Sequence, residues 1–169
     1  IGMVMQNTIL FSGTVKDNIL YGKHNASNEE ITQASIFAQA HDFVNNLPGG
    51  YDAELKQRGI NLSGGQKQRL SIARALVRKP PILIFDDSTS AVDAKSESLI
   101  QKALHENIKE STLFIVSQKI SSIVDADKII VLDKGMIAAI GNHEELLQRS
   151  DIYRDIYQSQ IGKEEVSYA

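Results

Sequence analysis

Two stretches of this chain carry side chains whose types and spacing could handle a phosphate. The first is Leu62-Ser63-Gly64-Gly65-Gln66, followed by Lys67-Gln68-Arg69 and a run of good helix formers. Glycines let a backbone come close to an anion, Ser63 adds a hydroxyl, and the first turn of a helix presents unpaired N–H groups. Alone, a Ser-Gly-Gly turn is more often an ordinary helix cap. The second is the apolar run Ile82-Leu83-Ile84-Phe85, which ends in Asp86-Asp87. Such a run reads as a central parallel strand, and carboxylates at its C-terminal edge are placed to hold Mg²⁺ and orient a water. The plain alternative is a pair of solvated loop aspartates.

The elements that must position these residues follow from pattern. Ile1 to Met5 reads as a short buried strand ending at Gln6, and Thr14 to Tyr21 as a short helix. Ser27 caps a helix with Glu29 and Glu30 in its first turn and Ile31, Ala34, Ile36 and Phe37 as its apolar stripe. Asp42 to Leu47 adds a turn of helix before the breaker Pro48-Gly49-Gly50. Ser63 opens a helix to about Arg78, with Leu70, Ala73, Leu76 and Val77 on one face, and Pro80-Pro81 stops it. A helix from Ala94 to Ile108 and buried strands at Thr112 to Val116 and Lys128 to Leu132 follow. Asp133-Lys134-Gly135 turns a hairpin into Met136 to Ile140, Glu144 to Gln148 and Ile152 to Gln160 read as helices, and the tail from Gly162 as frayed. Strand and helix alternate after residue 80, which predicts an α/β layer with a parallel sheet, whereas residues 13–78 predict a helical lobe.

Composition removes several classes of function. At 169 residues, 42% apolar and 23% charged, the chain has the profile of one compact globular domain. A net charge of −3 gives no electrostatic case for a nucleic-acid partner. No cysteine is present, so disulfides and thiolate metal sites are excluded. No stretch approaches the roughly 20 apolar residues that span a bilayer, and no basic leading region of a signal peptide is visible.

Taken together, in this order and at this spacing, the two motifs resemble the signature sequence and the Walker B strand of ABC-type ATPases. The resemblance extends over nearly the whole chain. Gln6 matches the Q-loop glutamine, which it implies contacts Mg²⁺ and the attacking water and faces a transmembrane domain. Asp86 matches the Walker B aspartate, a Mg²⁺ ligand. Ser90-Ala91-Val92-Asp93 matches the D-loop, which crosses to a partner domain, and Gly141-Asn142-His143-Glu144-Glu145-Leu146-Leu147 a C-terminal motif of structural role. Leu62, Ser63, Gly64, Gly65, Gln66 and Asp93 are thereby implied to bind ATP. The implied fold is a P-loop NTPase-like parallel sheet with flanking helices, incomplete at its N-terminal side, plus an all-helical lobe. Residues 1–12 then form the Q-loop strand of the core, 13–78 the signature lobe, 79–161 the remaining core and 162–169 a tail.

Three further stretches resemble exporters within the family. They are Leu10-Phe11-Ser12-Gly13-Thr14 leading to Asn18-Ile19-Leu20-Tyr21-Gly22, the X-loop-like Asp52 to Gly59 with Lys56 and Gln57 replacing the usual Gly and Glu, and Tyr153 to Gln160. The implied partners are a transmembrane domain and a second ABC ATPase domain. The implied place is the cytoplasmic face of a membrane.

Two positions depart from the family pattern. Where a glutamate normally follows the Walker B aspartate, this chain has Asp87, whose carboxylate falls back by roughly 1.5 Å, one C–C bond. A misplacement of about 1 Å can cost on the order of a hundredfold in rate. Where the family's switch histidine should stand, this chain has Gln118; its four histidines are 24, 41, 105 and 143. Glutamine can hydrogen-bond a phosphate but has no titrating nitrogen. An intact signature beside two altered catalytic positions implies one half of an asymmetric heterodimer. Gln6, Asp86, Asp87 and Gln118 would then belong to its slow site, and Ser63 to Gln66 would serve the partner's ATP.

No phosphate loop of the form G-x-x-x-x-G-K-[ST] occurs. The chain is therefore expected to begin just before the Q-loop of a longer domain, to bind ATP poorly alone, to hydrolyse none measurably, and to leave apolar surface and a sheet edge open. Two other readings stay open at this point: a soluble, non-transport ABC ATPase, and a non-hydrolytic module that uses ATP to dimerise or regulate.

Overall fold

The computed structural model describes residues 1–88, 91–107 and 110–166. They fall into two compact units, divided between Val116 and Ser117, each with its own apolar core.

The first unit contains, in chain order, β1 (Gly2–Val4), β2 (Gly13–Thr14), α1 (Val15–Leu20), α2 (Asn28–Phe37), α3 (His41–Asn45), β3 (Glu54–Leu55), α4 (Gly64–Leu76), β4 (Ile82–Asp86), α5 (Ala94–Asn107) and β5 (Thr112–Val116). Strands β1, β4 and β5 form a three-stranded sheet in the order β1-β4-β5, and both pairings are parallel. This is the parallel sheet with flanking helices that the motifs predict. β4 is its middle strand, as its apolar run requires. Its burial alternates, however: Leu83 and Phe85 are buried, whereas Ile82 and Ile84 are half-buried. β5 is an outer strand, so its burial departs from the sequence expectation, with Phe114 52% and Val116 56% exposed.

Helices dominate residues 13–78, joined by one short antiparallel pairing in which Gly13 faces Leu55 and Thr14 faces Glu54. Helices α1, α2 and α4 start where hydroxyl side chains satisfy orphan N–H groups, whereas α3 starts at Ala40 without one. Thr14 with Asp17, Ser27 with Glu30 and Ser63 with Gln66 each form a reciprocal capping box. On α2 the stripe is narrower than its sequence implies, because Ile36 is 42% exposed while Ser35 is buried and donates from its hydroxyl to the carbonyl of Ile31. Helix α4 is the best buried of the group. Leu70, Ile72 and Ala73 are fully enclosed and join Val4, Val15, Ile19, Leu83 and Ile100 in one core. Burying a Leu or Ile side chain stabilises by roughly 1.5–3 kcal/mol, so α4 is fixed against the sheet chiefly by these contacts.

The second unit contains the hairpin β6 (Ile129–Asp133) and β7 (Met136–Gly141), then α6 (His143–Arg149) and α7 (Asp151–Val166). The hairpin turns through Lys134 and Gly135, both at positive φ, the conformation that a tight two-residue turn demands. Asn142 caps α6 in a further capping box with Glu145, which supports the structural reading of that motif. Ile120, Ile129, Val131, Leu146 and Tyr153 form the core of this unit. Helix α7 continues through Gly162 to Val166 rather than fraying there. Ile108 lies outside the described residues. Among the described residues, no helix is long and apolar enough to cross a membrane.

Candidate functional site

The sheet register brings the first site residues together. β1 pairs β4 with Gly2 opposite Leu83 and Val4 opposite Phe85. Continuing that register past the strand ends sets Gln6 opposite Asp87. Gln6 indeed donates from Nε2 to Asp87 Oδ2 at 3.0 Å. Asp87 extends the ladder by donating its own N–H to the carbonyl of Val116 at 2.8 Å. It then turns the chain off the strand with φ at 43°, in the left-handed region that Asp adopts more readily than most residues.

Asp86 ends β4, is half-buried, and makes no side-chain hydrogen bond among the described residues. Gln6 keeps its amide oxygen available, because its NH₂ group is the one facing Asp87. A partnerless carboxylate beside an amide oxygen at the C-terminal edge of a parallel sheet suits Mg²⁺, which takes one or two protein ligands and completes its shell with phosphate and water. Among the described residues there is no cluster of three or more His, Cys, Asp or Glu that could hold a metal ion.

The signature residues form a second group. Ser63 is the N-cap of α4: its Oγ accepts from the N–H of Gln66 at 3.2 Å, and Gln66 Oε1 accepts from the N–H of Ser63 at 2.9 Å. The ordinary helix cap weighed from sequence is therefore physically present. It leaves the start of α4 on the surface, with Ser63 and Gly64 exposed. Leu62 is buried and anchors the approach to the cap.

Gly65 has a role that sequence reasoning missed. A Cβ there would stand 2.9 Å from the carbonyl oxygen of Ala91, against 3.7 Å to the nearest atom for one at Gly64. Gly65 is thus small to admit the backbone of Ala91 and Val92. Gln68, one turn on and buried, accepts the N–H of Ala91 at 3.1 Å. The signature helix and the D-loop segment are consequently one packed object. Asp93 caps α5, accepting from the N–H of Ser96 at 2.9 Å, and this hydrogen bond holds its carboxyl below the usual carboxylate range. Ser90, also assigned to this loop, lies outside the described residues.

Arg69 ties the same region to the helical lobe. Its guanidinium donates to the carbonyl of Gln39 at 3.1 Å and lies 4.9 Å from the centroid of the Phe43 ring. Its position after the signature was visible in the sequence, but no spacing rule showed what it would hold.

Gln118 belongs to the second unit. Its backbone carbonyl accepts from the side chain of Gln160 at 2.7 Å, and its residue is exposed. The structure therefore joins Gln6 with Asp87, sets Asp86 beside them, and joins Ser63 to Gln66 with residues 91–93. Among the described residues no hydrogen bond links Gln6, Asp86 or Asp87 to Ser63, Gly64, Gly65 or Gln66.

A parallel sheet with an acidic pair at its C-terminal edge, a glutamine reaching across from the neighbouring strand and a separately capped glycine helix define part of a nucleotide-binding ATPase domain. Residues 1–90 match the ABC transporter family, and this chain belongs to it. It is 52% identical over 160 residues to a Staphylococcus aureus protein named as a multidrug export ATP-binding/permease protein, covering 95% of this chain and 28% of that one. It is 51% identical over 164 residues to the ABC transporter ATP-binding protein YfiB of Bacillus subtilis, covering 97% of this chain and 28% of YfiB. A solved bacterial Atm1-family ABC exporter with ATP bound superposes with a TM-score of 0.91 at 42% identity, over 94% of this chain and 28% of that one. The chain thus spans a little over a quarter of the length of these relatives, and corresponds to part of their ATP-binding domain.

Proposed function

We propose that this chain is the C-terminal part of the ATP-binding domain of an ABC exporter, and that its own catalytic residues form the slower of two unequal ATP sites. The observation that carries this reading is the Gln6–Asp87 hydrogen bond at the sheet edge beside a partnerless Asp86. Asp86 and the Gln6 amide oxygen would hold Mg²⁺, which would offset charge developing on the phosphoryl oxygens. Gln6 bonded to Asp87 orients that carboxylate, and Asp87 accepts a hydrogen bond from the attacking water. Its shorter reach and the glutamine at 118 both weaken this step relative to the family pattern.

The signature group supports the other half of the reading. The cap of α4 exposes helix N–H groups suited to an anion, and Ser63 supplies a hydroxyl. These groups would meet ATP held by a partner domain, with Asp93 and its loop at the same contact. The division into Q-loop strand (1–12), signature lobe (13–78), remaining core (79–161) and tail (162–169) belongs to this proposal. So do the transmembrane partner, the second ATPase domain and the cytoplasmic face of a membrane. An isolated 169-residue chain, in which no phosphate-loop motif occurs, is expected to bind ATP poorly and to hydrolyse none measurably, which calorimetry and a phosphate-release assay check.

The test restores the family residues. An Asp87→Glu, Gln118→His variant of the intact transporter is expected to raise single-turnover hydrolysis at this site by on the order of a hundredfold, as a misplacement of about 1 Å commands. Unchanged single-turnover rates would overturn the slow-site assignment.

A further inference from the structure

The segment that follows Gln6 has no regular structure, yet side chains from two helices pin its backbone. Arg74 of α4 donates from Nη2 to the carbonyl of Ile9 at 3.0 Å and to the hydroxyl of Ser71 at 3.3 Å. Its guanidinium also lies 5.6 Å from the centroid of the Phe11 ring. Asn18 of α1 is buried, accepts the N–H of Phe11 at 2.9 Å, and donates to the carbonyls of Phe11 at 2.9 Å and Thr14 at 3.0 Å. Leu10, between the two anchored residues, is 2% exposed.

A half-buried cation is costly without a counter-charge, and no ion pair to Arg74 occurs among the described residues. Burial accordingly pushes its pKa below the ordinary value. Leucine or methionine would fill the space at less cost. What they lack is a donor that serves a carbonyl and a hydroxyl from one nitrogen, Nη2, while the guanidinium plane meets an aromatic face; Nη1 is buried without a partner. Only Asn7 and Thr8 separate the anchored Ile9 from Gln6, so the anchor limits where Gln6 can place its amide.

We infer that Arg74 is a positioning residue: by fastening Ile9 to the signature helix, it holds Gln6 on Asp87 and ties this site to the helix that serves the other. Arg74 lies about 15 Å along α4 from Gly64, at roughly 1.5 Å per residue, and among the described residues no hydrogen bond joins it to Gln6, Asp86 or Asp87, so it acts on them through the backbone of Ile9. The inference rests on the functional reading above.

The experiment is a double-mutant cycle on single-turnover, Mg²⁺-dependent ATP hydrolysis at this chain's own site in the intact exporter with its partner. It uses Arg74→Met, Gln6→Ala and the combination. Arg74→Met is expected to lower the single-turnover rate at this site three- to tenfold with the ATP concentration for half-maximal rate within twofold, and the double variant is expected to be no slower than Gln6→Ala alone. A merely structural arginine would give multiplying losses, and that result overturns the proposal. If Arg74→Met fails to assemble, Arg74→Gln, which keeps a donor at shorter reach, takes its place in the same cycle. A wild-type exporter without ATP hydrolysis would sink the functional reading itself, whereas an active wild type with multiplying losses sinks only the role of Arg74.

Discussion

Replacing Gly65 and Gly64 in turn by alanine separates the needs of a helix from the needs of the loop packed against it. Both residues lie in the first turn of α4, so both substitutions exchange glycine for the best helix former, a gain of up to about 1 kcal/mol. At position 64 the new Cβ meets only the Ala91 side chain at 3.7 Å, an ordinary contact. At position 65 it would stand 2.9 Å from the Ala91 carbonyl oxygen, with Val92 Cα at 3.8 Å behind it. The obstacle is backbone, so the loop or the helix start must give way, and overpacking of this kind costs about 1–3 kcal/mol. The pair should therefore differ by about 1–3 kcal/mol in urea unfolding, with Gly64→Ala at or above the parent and Gly65→Ala below it. Equal stabilities would refute the claim that Gly65 is small for the sake of Ala91 and Val92.

Other consequences follow from the same geometry. Asn18→Leu keeps the branched heavy-atom shape but orphans the N–H of Phe11 and the carbonyls of Phe11 and Thr14, so urea unfolding should show a loss of about 2–4 kcal/mol. The N–H of Ser96 holds the Asp93 carboxyl below the usual carboxylate range, so its stabilisation is present above the unfolded value and is lost as pH falls through the lowered one. Asn caps a helix about as well as Asp, so Asp93→Asn should leave stability at neutral pH nearly unchanged and flatten its fall at low pH in acid titrations. Asp86→Asn in the intact transporter should weaken Mg²⁺-dependent ATP binding at this site at least tenfold by isothermal titration, with little change when Mg²⁺ is absent.

How much the sequence disclosed depends on whether a feature is local. Ser63, Ser27 and Thr14 announced helix starts because capping needs only a hydroxyl and a residue three positions on. The run from Ile82 to Phe85 announced a middle strand because few other environments accept four consecutive apolar residues. β5 looked equally buried, yet its exposure depends on what lies beside it in the sheet, and no pattern within five residues encodes that. The hydrogen bond between Gln6 and Asp87 needed the register of two strands far apart in sequence, although both residues were named from their motifs. The backbone contact at Gly65 and the grip of Arg74 on Ile9 were likewise out of reach, since each joins segments whose proximity only the fold creates.

The unequal-site account is tested most directly by ATP hydrolysis of the full-length parent protein in detergent, purified alone and then with its co-expressed partner. Hydrolysis that appears only with the partner is the predicted result, because the signature at Ser63 to Gln66 would then serve a competent site on the other chain. Brisk hydrolysis by the parent protein alone would show that Asp87 and Gln118 suffice for catalysis, and would contradict the account.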